Sequence, residues 1–264
     1  MPGGNRRVRF LFWYSGFQGG HPGLPGKAQA PVLIREHRFY YRRQGRCFLG
    51  PSPSAKEERL VVLLHGYGQQ PKAFLEELLP AQGTRDQFLV PEGLHRFYLQ
   101  GSKGTVGSSW MTREDREADI ADYVRMLEEL CTPFWEEKPY RQLLLFAFSQ
   151  GVATAYRWLC ETKLPFGYFI AWAGSIPPDL NYRHCLALLP PGLGIELVRG
   201  TEDRLVKEED MQAHATVLRD HSLQPTLRHF SGRHRVEVDL LKRCLAEASI
   251  THPGESHPNR GVPS

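Results

Sequence analysis

The stretch that decides the fold covers residues 142 to 159 and reads QLLLFAFSQGVATAYRWL. Its first part is almost wholly apolar and predicts a buried strand, and the residues after Gly151 predict an apolar helix. Ser149 lies at the junction, with Ala147 two residues before it and Gly151 two residues after it. Small residues are needed there because larger side chains collide across a sharp strand-to-helix turn. The stretch predicts a nucleophilic serine beside a helix N-terminus, and a serine that merely caps a helix is the alternative.

An acid is expected after such a serine, followed by a histidine that acts as the base. The apolar run from Ile195 to Val198 predicts a strand, and the loop after it contains Glu202 and Asp203. We predict Asp203 as the acid that orients the base, with Glu202 as its local competitor. A carboxylate that is only solvated, or that caps a helix, is the alternative for either residue.

The base is expected after the last strand, which the pattern predicts from Thr226 to Phe230. His234 follows this strand in a short loop and precedes a final amphipathic pattern. We therefore predict His234 as the general base. His229 is the main rival, but it falls inside the predicted strand, where a histidine more often packs or faces solvent.

A serine that is activated in this way can catalyse acyl transfer, which also needs hydrogen-bond donors for the oxyanion that develops on the substrate. The loop His65-Gly66-Tyr67-Gly68 directly follows a predicted buried strand, Leu60 to Leu64. Its placement upstream of Ser149 predicts that the backbone N–H groups of Tyr67 and Gln150 form the oxyanion hole. A plain glycine-rich turn is the alternative for this loop.

The glycine-rich stretch 101–110 ends in Trp110 and predicts a mobile loop near the site. Trp110 and the side chain of Tyr67 are the candidate substrate-binding residues. A packing anchor is an equally good interpretation of Trp110.

The remaining periodicity alternates strands with helices, which predicts an α/β fold with a mostly parallel sheet and helices on both faces. Thr112 is the candidate cap of the clearest helix. The other predicted strands are 37–43, 87–90, 142–148 and 167–172, and the predicted helices are 116–130, 149–162, 207–219 and 236–248.

Charge is unevenly distributed along the chain. Residues 1–59 hold eleven Lys or Arg against three Glu, whereas the whole chain carries a formal charge of only +4. We expect a basic, Gly/Pro-rich leader over residues 1–34, one domain over 35–248 and a disordered tail over 249–264. The leader's apolar run is too short for a signal peptide. No nucleic-acid-binding module and no membrane span are predicted.

The five cysteines are widely spread and form no C-x-x-C pair. They predict neither a disulfide framework nor a zinc site, and they favour a cytoplasmic setting.

Together these motifs resemble the phospholipase/carboxylesterase family of α/β-hydrolases, which includes acyl-protein thioesterases. The matching elements cover about residues 58 to 247 and are Leu64–Gly68, Pro91–Gly93, Trp110, Phe148–Gly151, Gly200–Asp203 and the His234 loop. The chain departs from the family pattern at Ala147, where Gly is expected, and at Arg233, where Gly directly before the histidine is expected.

The resemblance implies an α/β-hydrolase fold without a large cap domain, and a serine esterase with a Ser149, Asp203 and His234 triad. Small or medium acyl esters are the expected substrates, and no metal or organic cofactor is expected. An acyl thioesterase or lysophospholipase is one alternative, and a non-catalytic binding protein of the same fold is another. The sequence leaves the oligomeric state open, and a homodimer is one of the alternatives.

Overall fold

The computed structural model describes residues 35–54, 58–138 and 140–248. The chain divides into two units after Arg43. Of the first unit, residues 35–43 are described, and they form neither helix nor strand. The predicted strand over 37–43 is therefore wrong, and the first strand comes later. The run of aromatic residues over 39–41 favours a strand in sequence, but a strand also needs a partner whose backbone groups it can pair with.

The second unit contains nine strands and six α-helices among its described residues. The strands are β1 (Cys47–Leu49), β2 (Arg59–Leu64), β3 (Asp86–Pro91), β4 (His95–Gln100), β5 (Lys103–Ser109), β6 (Gln142–Phe148), β7 (Phe166–Trp172), β8 (Gly194–Gly200) and β9 (Thr226–Phe230). The helices are α1 (Pro71–Leu78), α2 (Arg116–Glu137), α3 (Gln150–Leu159), α4 (Tyr182–Ala187), α5 (Glu208–Asp220) and α6 (Val238–Glu247).

The main sheet has seven strands in the order β1-β3-β2-β6-β7-β8-β9. Only β1 is antiparallel to its neighbour; the strands from β3 to β9 in this order pair in parallel. This confirms the mostly parallel sheet. Parallel strands end at the same edge, so the loops that follow β2, β6, β8 and β9 can meet there.

The core lies on both faces of the sheet, as strand β2 shows. Leu60, Val62 and Leu64 join the cluster that includes α2, α3 and α5, whereas Val61 and Leu63 join the cluster that includes α1 and α6. All five residues are fully buried. An unbroken aliphatic run is therefore required, because both faces of the strand are covered by helices.

Two predicted details around α2 are wrong. The helix continues to Glu137 and passes through Pro133, well beyond the predicted end. Its N-cap position is Asp115, whereas the Thr112 hydroxyl donates a hydrogen bond to the Glu114 carbonyl oxygen. Packing of the apolar face extends the helix past the point where the proline suggests an end.

The predicted mobile loop over 101–110 is also wrong, because most of it is strand β5, paired with β4 in an antiparallel hairpin. Glycine, serine and threonine dominate β5, so hydrophobic alternation did not reveal it.

Cys160 and Cys185 form a disulfide with 4.9 Å between their Cα atoms, which the scattered cysteine positions did not suggest. The end of α3 and helix α4 come together only in the fold. No helix in the described ranges is long and apolar enough to cross a membrane.

A buried ion pair joins the sheet to α6. Arg59 Nε lies 2.6 Å from Asp86 Oδ1, and Arg59 Nη1 donates to the Leu245 carbonyl oxygen at 2.8 Å. The Arg59 and Asp86 side chains are 9% and 1% exposed. The pair therefore links β2, β3 and α6 inside the protein.

Replacing Asp86 by Ala leaves the Arg59 guanidinium buried without its carboxylate partner. We expect the free energy of unfolding to fall by about 3–5 kcal/mol, measured by urea unfolding. The matched control is Glu76→Ala, which breaks the exposed Lys72–Glu76 pair and should cost no more than about 1 kcal/mol. Equal unfolding midpoints for the two variants would contradict the stabilising role of the buried pair.

Candidate active site

Ser149 occupies the turn between β6 and α3 in a conformation that few residues adopt. Its φ is 53° and its ψ is −116°. Its N–H donates to the Trp172 carbonyl oxygen at 2.9 Å. Gly151 permits the turn, since a Cβ there would lie 2.5 Å from the Leu64 carbonyl oxygen. The packed strands therefore hold a strained serine with its side chain at the carboxyl edge of the sheet.

A continuous hydrogen-bonded chain links Ser149, His234 and Asp203. His234 Nε2 lies 2.9 Å from Ser149 Oγ, and His234 Nδ1 lies 2.8 Å from Asp203 Oδ2. The Asp203 carboxylate can only accept, so Nδ1 carries the proton and Nε2 is left as the acceptor for the serine hydroxyl. The imidazole is therefore oriented to take a proton from Ser149.

The Asp203 carboxylate is fixed on its other side by its own loop. Its Oδ1 accepts hydrogen bonds from the N–H groups of Leu205 at 2.8 Å and Val206 at 3.0 Å. The side chain is 0% exposed. One oxygen is thus held by the backbone while the other faces His234.

Backbone contacts join the Asp203 loop to the His234 loop. The Glu202 N–H donates to the Gly232 carbonyl oxygen at 2.8 Å. A Cβ at Gly200 would lie 2.3 Å from that same oxygen, so only glycine lets the loops approach this closely. The Trp172 indole N–H also donates to the Arg235 carbonyl oxygen at 2.9 Å and fixes the far side of the His234 loop.

His65 organises the loop after β2. Its Nδ1 donates to the Gly66 carbonyl oxygen at 2.8 Å, and its Nε2 accepts from the Gly93 N–H at 3.0 Å. Burial lowers the pKa of His65 to about 4, so the ring is neutral near pH 7 and keeps one donor and one acceptor nitrogen. A Cβ at Gly66 would lie 3.2 Å from Ser149 Cβ, so this loop packs directly against the serine.

The amides of Tyr67 and Gln150 donate no hydrogen bond to another residue in the described part of the chain. Tyr67 follows Gly66, and Gln150 is the first residue of α3 after Ser149. The Gln150 side chain is anchored, since its Nε2 donates to Ser109 Oγ at 3.0 Å. Both amides are therefore unpaired among the described residues, as the donors of an oxyanion hole must be.

A family model described as phospholipase/carboxylesterase matches residues 50–249. The chain belongs to the phospholipase/carboxylesterase family. Membership makes it a hydrolase of the esterase and thioesterase type. No curated protein sequence matches the chain.

Three solved structures of esterases and thioesterases have a fold similar to that of this chain. Esterase PE8 has a TM-score of 0.59 at 20% identity, over 78% of this chain and 99% of that one. Acyl-protein thioesterase 2 of Zea mays has 0.57 at 18% identity, over 77% and 98%. The Bacillus cereus carboxylesterase has 0.57 at 14% identity, over 76% and 91%. These likenesses support the α/β-hydrolase fold, and no further domain interrupts the sheet within the described ranges.

The structure brings Ser149, Asp203 and His234 of this hydrolase together, and it places their rivals elsewhere. His229 Nε2 lies 2.8 Å from Glu208 Oε2, and both side chains of this hydrogen-bonded pair are partly exposed. Glu202 is exposed and lies 4.0 Å from Arg233. Of these candidates, the described structure places His234 and Asp203, and neither rival, in the hydrogen-bonded chain that begins at Ser149.

The two candidate substrate-binding residues differ in their placement. Trp110 is 0% exposed, its ring stacks on His65 and its indole N–H donates to the His65 carbonyl oxygen at 2.8 Å. It is therefore a packing anchor of the loop, and the pocket-lining interpretation of Trp110 is wrong. Tyr67 is 64% exposed and its ring lies 5.2 Å from that of Phe97, so it can still contact a substrate.

Sequence reasoning missed the contributions of His65 and Trp172 to the site. His65 belongs to the quoted loop motif, so its position gave a signal, but the hydrogen bond that it accepts from the Gly93 N–H joins it to a segment that comes later in the chain. Trp172 ends a buried strand, and nothing in its sequence context distinguishes it from a core residue. Among the described residues, no cluster of three His, Cys, Asp or Glu side chains forms a metal site.

The lowered pKa of His65 predicts an acid-sensitive fold. Between pH 6.5, the ordinary histidine pKa, and about pH 4, the unfolded chain binds a proton at this residue that the folded chain does not. The free energy of unfolding should therefore fall as the pH drops through this window, by up to about 1.4 kcal/mol per pH unit from this residue, and level off below it.

Urea unfolding across that pH range measures the effect in the parent protein and in two variants. His65→Gln should show a shallower decline, whereas His184→Gln, which changes an exposed histidine, should keep the parent slope. Parallel slopes for His65→Gln and the parent protein would contradict the assignment.

Proposed function

We propose that this protein hydrolyses small or medium acyl esters through an acyl-enzyme intermediate on Ser149. The observation that carries the proposal is the hydrogen-bonded chain from Ser149 Oγ through His234 to the buried Asp203 carboxylate. The two available amides next to Ser149 add the second requirement of acyl transfer.

In the first half of the reaction, Ser149 Oγ attacks the ester carbonyl carbon while His234 Nε2 takes the hydroxyl proton. Asp203 stabilises the imidazolium that forms. The carbonyl oxygen becomes an oxyanion, which accepts hydrogen bonds from the N–H groups of Tyr67 and Gln150. The tetrahedral intermediate collapses, the bond to the leaving alcohol breaks, and His234 returns the proton to that alcohol.

In the second half, a water molecule takes the place of the alcohol. His234 removes a proton from the water, and the resulting hydroxide attacks the acyl carbon. Collapse of the second tetrahedral intermediate breaks the bond to Ser149, which recovers its proton from His234, and releases the acid. A thioester passes through the same steps with a thiol as leaving group.

Ser149→Ala should abolish turnover of a short-chain aryl ester and covalent labelling by a fluorophosphonate probe, because both need the activated hydroxyl. Mass spectrometry of the labelled protein locates the adduct. Ser52→Ala, which changes an exposed serine, is the matched control and should keep both signals. Labelling of the Ser149→Ala variant at the parent rate would refute the proposal, and a non-catalytic binding protein would show no labelling of the parent protein.

Asp203→Asn should lower kcat by about ten-thousandfold, since the amide cannot stabilise the imidazolium or hold its tautomer. His234→Gln should lower kcat by at least the same factor. The neighbouring changes Glu202→Gln and His229→Gln should keep kcat within about threefold of the parent, because neither side chain contacts Ser149. A large loss for His229→Gln together with a small loss for His234→Gln would reverse the assignment of the base.

A further inference from the structure

Three exposed arginines lie on the two loops that carry the proposed acid and base. Arg204 directly follows Asp203, and Arg233 and Arg235 flank His234 on either side. All three are exposed. The proposed mechanism uses none of them.

Backbone hydrogen bonds bring the two loops that carry these arginines together. The Arg235 N–H donates to the Arg233 carbonyl oxygen at 2.9 Å, so the chain turns tightly around His234. The backbone bond from Glu202 to Gly232 joins this turn to the loop of Arg204. The three arginine residues therefore lie on adjoining turns beside the hydrogen-bonded Asp203 and His234, at one edge of the site.

The positive charge at this edge is partly compensated by exposed carboxylates. Arg233 Nε lies 4.0 Å from Glu202, with both side chains mostly exposed, and such pairs are strongly screened. The Arg235 guanidinium lies 5.7 Å from the centre of the Phe230 ring and interacts electrostatically with the exposed carboxylate of Glu77. The cluster is also a local exception, because residues 60–264 carry a net negative charge.

We propose that this edge selects esters whose leaving group carries a carboxylate or another anion. The inference rests on the proposed function, in which His234 protonates the leaving alcohol, so that alcohol passes beside His234 and its two flanking arginines. The other side of the site differs in chemistry, since the oxyanion loop presents the exposed aromatic ring of Tyr67. A substrate with an apolar acyl group and an anionic alcohol matches both sides.

The test compares two acetyl esters of one nitrophenol, identical except that one leaving group carries a carboxylate and the other the corresponding carboxamide. The measured quantity is the ratio of kcat/KM for the carboxylate ester to kcat/KM for the carboxamide ester. A charge about 8 Å away in water changes such a ratio about twofold. Replacing all three arginines by Gln should therefore lower the ratio about tenfold.

Two control variants separate local charge from other effects. Changing the exposed Arg125, Arg219 and Arg243 to Gln removes the same net charge at other places and should leave the ratio unchanged. Changing Arg204, Arg233 and Arg235 to Lys keeps the charge and should hold the ratio within about twofold of the parent. Added salt should lower the ratio of the parent protein and have little effect on the Gln variant.

The outcomes distinguish this inference from the proposed function. Hydrolysis of both esters with an equal ratio in the parent protein and the Gln variant overturns the inference and leaves the esterase proposal standing. An equal fall in the ratio for the distant Gln control also overturns the inference. Failure of the parent protein to hydrolyse either ester, together with no fluorophosphonate labelling, overturns the proposed function and the inference with it.

Discussion

The backbone conformation of Ser149 is the constraint on which the site depends. A non-glycine residue with positive φ is strained, and it persists only where the surrounding structure holds it. Here the restraint comes from the hydrogen bond to Trp172 and from the close approach of Gly151 to Leu64. The first contact joins the end of β6 to β7, and the second packs the first turn of α3 against β2, so the position of the hydroxyl depends on the register of the sheet. Any change that shifts β2, β6 or β7 therefore also moves the proposed nucleophile.

The groups around Ser149 are positioned mainly by backbone hydrogen bonds and buried side chains. Asp203 is held by two amides of its own loop, and that loop is held by the carbonyl oxygen of Gly232. His65 holds the opposite loop through one donor and one acceptor nitrogen. Short, mutually bonded loops lose little conformational freedom when a substrate binds, which favours a preorganised site.

The sequence was sufficient to predict the elements that repeat a simple physical pattern. Strands β6 and β9 match their predicted bounds. Strand β6 is an apolar run that is buried on both faces, whereas β9 is a partly exposed edge strand that lies between the turn residues Pro225 and Ser231-Gly232. Asp203 and His234 could be chosen because each follows a strand that ends at the same edge. The hairpin, the Cys160–Cys185 pair and the burial of Trp110 could not be predicted, because each depends on contacts between segments whose own sequences carry no periodic signal.

The arginines that flank His234 have a consequence for the proposed chemistry. Positive charge develops on the imidazole while the proton of Ser149 is transferred, and nearby guanidinium groups oppose that charge. The buried Asp203 carboxylate, on the Nδ1 side, stabilises the positive charge of the imidazole. Its interaction with the imidazole is screened less than that of the arginines, because water does not reach the carboxylate. The arginines are exposed and largely screened, so their cost in a neutral substrate is small. An anionic leaving group offsets even that cost, because its negative charge interacts favourably with the arginines while the imidazolium forms. The leaving group then lies where His234 must return the proton.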